Sequence, residues 1–435
     1  MMSRRRWLTT VYAVLISLFA LSIARATTWS TQDYDLYFGD FDGDGKMDVL
    51  YIAKSANNAS GIDLSDGSGP NIPLQSWPSN YLGIPWYGNH FTVIVGDFNG
   101  DGHADILLQD NSPGDSYILL SNQQGMITAV SQAIPSVVGG VGWSADQHHL
   151  VAGDFNGDGR TDLFLQSTST LGVNAVFLAE SNGQFAASDL SQQWQDGYLG
   201  LYWATTEALI YAGDFNGDHR SDLLVQARPR TTIIRYAVPF PVASFAPNTN
   251  GVVLSSASGS LFQATGVQAW STNAFGVDWS PLVSNLVVGY FNSTQDADVL
   301  LQGETTSVSS ELVSGNSSGA IFSSDTSLSS NVAWSGGTYR LIAANLSGAL
   351  PEGVYLQATS ASGTNYYVTG LTGSTANVTP ETPVISNALT TYGYDPLGRL
   401  VSTNHSGTVN NGVQTTYNYD AAGNRTTTAV SGASH

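Results

Sequence analysis

Apolar and polar residues alternate in short bursts along nearly the whole chain, and the bursts have the length of strands rather than helices. In one representative stretch, apolar segments cover Phe91 to Asp97, Ala104 to Gln109, Ser116 to Asn122 and Met126 to Ser131. An acidic Asn-Gly-Asp-Gly loop, a Pro-Gly turn and a Gln-Gln-Gly turn separate them, which predicts four short antiparallel strands. The third strand and its glycine turn return as NAVFLAESNG from Asn174, GVVLSSASG from Gly251, ELVSGNSSG from Glu311 and NYYVTGLTG from Asn365. Beyond the apolar run from Trp7 to Ile23, no stretch keeps a helical period. The chain reads as all-β.

The four-strand unit recurs, and the acidic loop between its first two strands is the marker. Intact copies are GDFDGDGKMDVL from Gly39, GDFNGDGHADILLQ from Gly96, GDFNGDGRTDLFLQ from Gly153 and GDFNGDHRSDLLVQ from Gly213. Two eroded copies follow, GYFNSTQDADVLLQ from Gly289 and ANLSGALPEGVYLQ from Ala344. The copies begin 57, 57, 60, 76 and 55 residues apart, a period that points to a propeller or an open array. Runs such as VIVGDF and ADILLQ need burial on both faces, which favours a closed ring of covered sheets. We expect a β-propeller of six four-stranded blades, or seven if the long step from Gly213 to Gly289 holds an eroded blade. The prolines in that step, Pro239, Pro241 and Pro247, read instead as an inserted loop. A Trp precedes the first residue of every copy by ten positions: Trp29, Trp86, Trp143, Trp203, Trp279 and Trp334. Such a register marks these residues, with their companions Trp77, Trp194 and Trp270, as wedges between blades rather than a ligand platform.

Counting from the residue after the leading glycine, each intact loop carries side-chain oxygens at positions 1, 3, 5 and 9. They are Asp40, Asp42, Asp44 and Asp48; Asp97, Asn99, Asp101 and Asp105; Asp154, Asn156, Asp158 and Asp162; and Asp214, Asn216, Asp218 and Asp222. Position 7, which is Lys46, His103, Arg160 or Arg220, is left to offer its main-chain carbonyl. Calcium takes six to eight hard oxygen ligands of this mixed kind. Carboxylates crowded on so few residues repel one another without a cation, so three to four Ca2+ ions are expected. Glycine at position 6 lets the loop close with a positive φ, and His219 stands there in the fourth copy, making that site the weakest expected. The fifth loop has Tyr290 at position 1, and the sixth has Asn345, Ser347, Ala349 and Gly353 at the ligand positions, so both are expected to be metal-free.

These tandem loops resemble the FG-GAP/VCBS repeats of integrin-like β-propellers, and the resemblance extends over residues 29–380. It implies calcium between two strands of each intact blade and non-covalent recognition of a protein or carbohydrate at the rim. After an expected linker at 381–390, residues 391–435 hold YGYDPLGRL from Tyr392 and YNYDAAGNR from Tyr417, 25 residues apart. These resemble the YD repeats of rearrangement-hotspot (RHS) and Tc-toxin proteins, which implies other YD-repeat polypeptides as partners. Two copies are too few for the hollow shell that such repeats build, since a repeat buries its apolar face only against neighbours.

Arg4 to Arg6, the apolar run and Ala24-Arg25-Ala26 predict a signal peptide over residues 1–26, with a twin-arginine echo. The run is near the short limit for spanning a bilayer, so no stable membrane span is expected after cleavage. The expected address is the periplasm, the cell surface or the medium. The formal charge of −20 becomes −24 without the four leader arginines, which argues against nucleic acid as partner. There is no Cys, so stability must come from packing and cations rather than disulfides. The seven His are scattered, no GxSxG or HExxH occurs, and every close carboxylate set lies in a loop. A non-catalytic binding or scaffold module is therefore the expected role. The alternatives are the amino-terminal part of an RHS or Tc-like toxin, and a polysaccharide-active propeller enzyme.

Overall fold

The computed structural model describes residues 29–431 except 68, 113, 230–248, 258–260, 293, 316–324, 329–333, 372–376, 381–388, 395–399, 407–413 and 420–424. The leader, the inserted prolines and most of the expected linker lie outside the described residues. The chain divides into two units at Pro383/Val384. The larger is a six-blade β-propeller of four-stranded antiparallel sheets, each wound in simple sequence order from inner to outer strand. The inner strands are Tyr34–Gly39, Phe91–Gly96, His148–Gly153, Ala208–Gly213, Ser284–Gly289 and Tyr339–Ala344. Each touches the next, and the sixth returns to the first, so the ring closes.

The apolar runs fulfil their pattern. The second strands Asp162–Ser167 and Asp222–Ala227 are buried at every residue. Core clusters form between sheets rather than within one. Phe155, Phe164 and Trp194 of blade 3, for example, pack with Trp203, Ile210, Leu223 and Phe262 on the blade 4 side. Trp86, Trp143, Trp203 and Trp279 are 0–2% exposed, and Trp77–Trp86, Trp194–Trp203 and Trp270–Trp279 meet edge to face at 5.0–5.2 Å. Three of these tryptophans donate their indole N–H to the carbonyl five residues earlier: Trp86 to Tyr81, Trp203 to Tyr198 and Trp279 to Ala274. The intervening turn holds Leu82, Leu199 or Phe275 in the left-handed region at φ 55–60°. Gly139 replaces that residue in the turn before Trp143, whose indole nitrogen is buried and has no hydrogen-bond partner among the described residues.

One strand departs from its expected place. After Ser116–Leu119, the Gln-Gln-Gly turn closes on a bridge between Ser121 and Ile127, and the outer strand of blade 2 forms later, at Gln132–Ile134. It pairs there with Ser116–Ile118.

A glutamine clip joins the blades. Gln166 Nε2 donates to Trp203 O at 2.8 Å and Ala208 O at 3.0 Å. Gln109, Gln302 and Gln357 make the equivalent pair of bonds to the next blade, and Gln226 makes the bond to Trp279 O. In blade 1 the corresponding residue is Ile52, and the Ser60 hydroxyl reaches Trp86 O instead, at 2.8 Å. Replacing Gln166 by Ala strands two carbonyls at a buried junction, and denaturant unfolding should show a loss of about 2–3 kcal/mol.

The smaller unit is an antiparallel sheet of Leu389–Tyr394, Leu400–Ser406, Gln414–Tyr419 and Arg425–Ser431. Its two outer hairpins are irregular at matching places, between Gly393 and Tyr394 and between Asn418 and Tyr419. Residues 395–399 and 420–424 of the two YD motifs lie outside the described residues.

Candidate metal centres on the loop face

All six marker loops follow the inner strands, so the sheet winding places them on one face of the ring. The four intact loops share one conformation. Position 1 folds the loop around itself: in the first copy Asp40 Oδ1 accepts from the amides of Gly43 at 2.8 Å and Asp44 at 3.0 Å, and Oδ2 from that of Gly45 at 2.8 Å. Asp97, Asp154 and Asp214 repeat the pattern. Position 3 accepts from the amide of position 5, and position 5 from that of position 7.

This folding brings one oxygen each of Asp40, Asp42 and Asp48 within 4.8 Å of one another. Two oxygens at about 2.3–2.6 Å from a shared calcium can lie up to about 5.2 Å apart, so these three are close enough to share one ion. In the other three loops Asn99, Asn156 and Asn216 take position 3 and supply a neutral oxygen in place of the aspartate.

Position 9 has a second job. Asp162 Oδ2 accepts from Phe155 N at 3.0 Å and Oδ1 from Ala179 N at 2.8 Å, tying the loop to the turn beyond the third strand. Asp48, Asp105 and Asp222 likewise accept from the loop's second residue and from Ser65, Ser121 or Ser255 at the end of the third strand or just past it. Asp298 of the eroded fifth loop, where no acidic residue stands at position 1, clamps in a shifted way, accepting from the third loop residue Asn292 and from Gly315. Burial pushes the carboxyls of Asp48, Asp105 and Asp162 up to about 7 and that of Asp222 up to about 8. Negative neighbours at positions 1 and 3 or 5 add to the rise, against the amide bonds.

The basic residue at position 7 contributes its side chain as well as its main chain. Lys46, Arg160 and Arg220 pair with the position 5 carboxylates Asp44, Asp158 and Asp218 of their own loops, and His103 approaches Asp101. Each also lies over the preceding loop: a Cβ on Gly100 would meet Arg160 Cγ at 3.0 Å, and one on Gly157 would meet Arg220 Cγ at 2.9 Å. Only glycine leaves room there. The main chain links the same neighbours. Ala104 N donates to Asp40 O, Thr161 N to Asp97 O, Ser221 N to Asp154 O, Ala297 N to Asp214 O, Glu352 N to Tyr290 O and Met47 N to Asn345 O, all at 2.6–2.8 Å. These six hydrogen bonds form a closed circuit through all six loops, eroded ones included.

A model of the FG-GAP-like repeat matches residues 40–108, 97–165 and 154–225, a span that holds all four intact loops. Residues 40–225 are FG-GAP-like repeats. The match ends before the eroded copies, although blades 5 and 6 have the same winding as the FG-GAP-like blades. Among solved structures, a lectin from Agrocybe aegerita that recognises non-reducing terminal N-acetylglucosamine is 16% identical, with TM-score 0.49 and 82% of each chain covered. The Tc holotoxin pore of Photorhabdus luminescens is 14% identical at TM-score 0.46, over 90% of this chain and 19% of that one. SapL1 lectin, in complex with alpha methyl fucoside, is 10% identical at TM-score 0.43, over 82% of this chain and 99% of that one. Comparison with curated proteins finds no match. Among the described residues no helix is long and apolar enough to cross a membrane.

Proposed function

We propose that the chain is an exported binding module whose loop face is stiffened by calcium and presented to a carbohydrate or protein. The observation that carries this reading is the approach of Asp40, Asp42 and Asp48 within 4.8 Å in the first loop, whose internal hydrogen bonding the loops of the next three blades share. Asp40, Asp42, Asp44 and Asp48 would hold the first ion, and the equivalent residues of the FG-GAP-like loops the others. When bound, calcium supplies charge neutralisation. The chain's own part is to fix the carboxylates through main-chain amides, so that the loops are shaped before an ion arrives. Equilibrium dialysis against calcium should find three to four ions per chain, and Asp40→Ala should remove one of them. A count of zero sinks the proposal. Recognition rather than catalysis is the proposed activity, and turnover of any glycan in a polysaccharide panel would overturn that part.

The smaller unit favours one additional reading. Tyr392 with Tyr394, and Tyr417 with Tyr419, occupy matching register positions in the first strands of its two hairpins, which supports a YD-repeat reading. On this reading the chain works with, or as part of, a longer RHS-type polypeptide. Further YD repeats in the adjoining reading frame or gene would support it, and their absence from both would remove it.

A further inference from the structure

The loop face carries an open cavity of about 410 Å3 lined by Asp154, Asp214, His219, Arg220, Ser221, Tyr290, Gln295 and Leu350. These residues come from the loops of blades 3, 4, 5 and 6 in succession. Blades 3 and 6 stand opposite each other in a ring of six, so a space that both line lies at the axis. Its size falls within the roughly 300–1,000 Å3 of small-molecule sites.

Three of the lining residues occupy loop position 6. That position is Gly45, Gly102 or Gly159 in the first three loops, where an added Cβ would meet nothing within 4 Å. In the last three loops it is His219, Gln295 and Leu350, so one half of the mouth is bare and the other half bears side chains. His219 stands there at φ 65°, in the left-handed region that glycine adopts freely and that histidine enters more readily than most side chains.

The charges around the cavity are already engaged. Asp214 accepts four amides of its own loop, Asp154 accepts three, and Arg220 is paired with Asp218. What remains presented is the imidazole of His219 and the amide of Gln295, both exposed and without a side-chain hydrogen bond among the described residues, beside Leu350 at 47% exposure and the half-buried ring of Tyr290. Hydrogen-bonding side chains next to a small apolar face suit a ring of hydroxyls.

We infer that this axial mouth binds the end of a neutral saccharide, with His219 and Gln295 bonding hydroxyls and Leu350 and Tyr290 covering the apolar face of the ring. The inference deepens the binding-module reading and rests on it. Its test titrates the calcium-loaded full chain with methyl glycosides of glucose, galactose, fucose and N-acetylglucosamine, and with short neutral peptides. At least one glycoside should bind. Gln295→Ala and Leu350→Ala should each weaken it about tenfold, and His219→Gly, which keeps a residue suited to the positive φ, should do likewise. Gln295 and Leu350 sit in the two eroded loops, so their variants should keep the wild-type melting profile and calcium count. No glycoside bound, glycoside binding indifferent to all three variants, or peptides bound in preference to glycosides would each overturn the inference. A normal calcium count with no sugar bound sinks this inference alone. A zero calcium count with variant-sensitive sugar binding sinks only the metal reading.

Discussion

Removing divalent ions at pH 7.5 is expected to lower the melting temperature by roughly 10 °C, and calcium should restore it. Each loop held at a hundredfold excess over its dissociation constant adds about 2.7 kcal/mol, so three loops add on the order of 8 kcal/mol. An unfolding entropy of about 2.1 cal/mol/K per residue, over a propeller of this size, converts that to roughly 10 °C. The same experiment at pH 5 should show a much smaller loss, and the reason lies in the position 9 carboxyls. Their ordinary value is 3.8, whereas burial raises them to about 7 in Asp48, Asp105 and Asp162 and about 8 in Asp222. Between pH 4 and 7 the metal-free folded chain therefore keeps protons that the unfolded chain has released. The folded state binds more protons, so metal-free stability falls as pH rises through that window. Calcium takes over the neutralising role of those protons and should flatten the fall. Equal chelator effects at pH 5 and 7.5 would show that buried carboxyls and ions are not linked.

Replacing Asp298 by Ala should cost about 3–5 kcal/mol while leaving the calcium count unchanged. Its two oxygens accept from Asn292 N at 2.9 Å and Gly315 N at 3.0 Å, and the residue is fully buried. A charge-assisted bond of this kind contributes about 1.5–3 kcal/mol, and its loss leaves both amides without partners. Asp162→Ala is the matched control. It breaks the equivalent bonds to Phe155 and Ala179, and it should also remove one ion. Urea unfolding with calcium dialysis on both variants separates the clamp from the ligand. If Asp298→Ala unfolds like the wild type, position 9 is no clamp and its survival in the fifth loop has no structural cause.

The ring and its loops were legible in the sequence because each rests on local spacing. The loop begins where an inner strand must turn, and the Trp register falls where a blade must pack. Blades 5 and 6 were found by the same spacing even though their loops had lost most of their acids. What the sequence withheld lies between blades. Gln109, Gln166, Gln226, Gln302 and Gln357 stand at the end of every marker but the first, a visible signal, yet their partners are carbonyls 32–328 residues away. Position 9 reads as a metal ligand alone, because its two amide donors belong to the loop's second or third residue and to the far end of the third strand or just beyond it. The lining of the axial cavity was hidden for the same reason: His219, Gln295 and Leu350 converge only when the ring closes. The late outer strand of blade 2 escaped because its bridge at Ser121 and Ile127 delays the pairing that the alternation seemed to start at Met126.

The circuit of main-chain bonds through the six loops makes the face behave as a hoop. A cooper's hoop carries load all the way round, and no stave can spread without pulling on those beside it. The two eroded blades are therefore held to shape by their neighbours, and strain imposed at Asp40 is shared through Met47 and Asn345 with a blade whose own loop keeps none of the four aspartates.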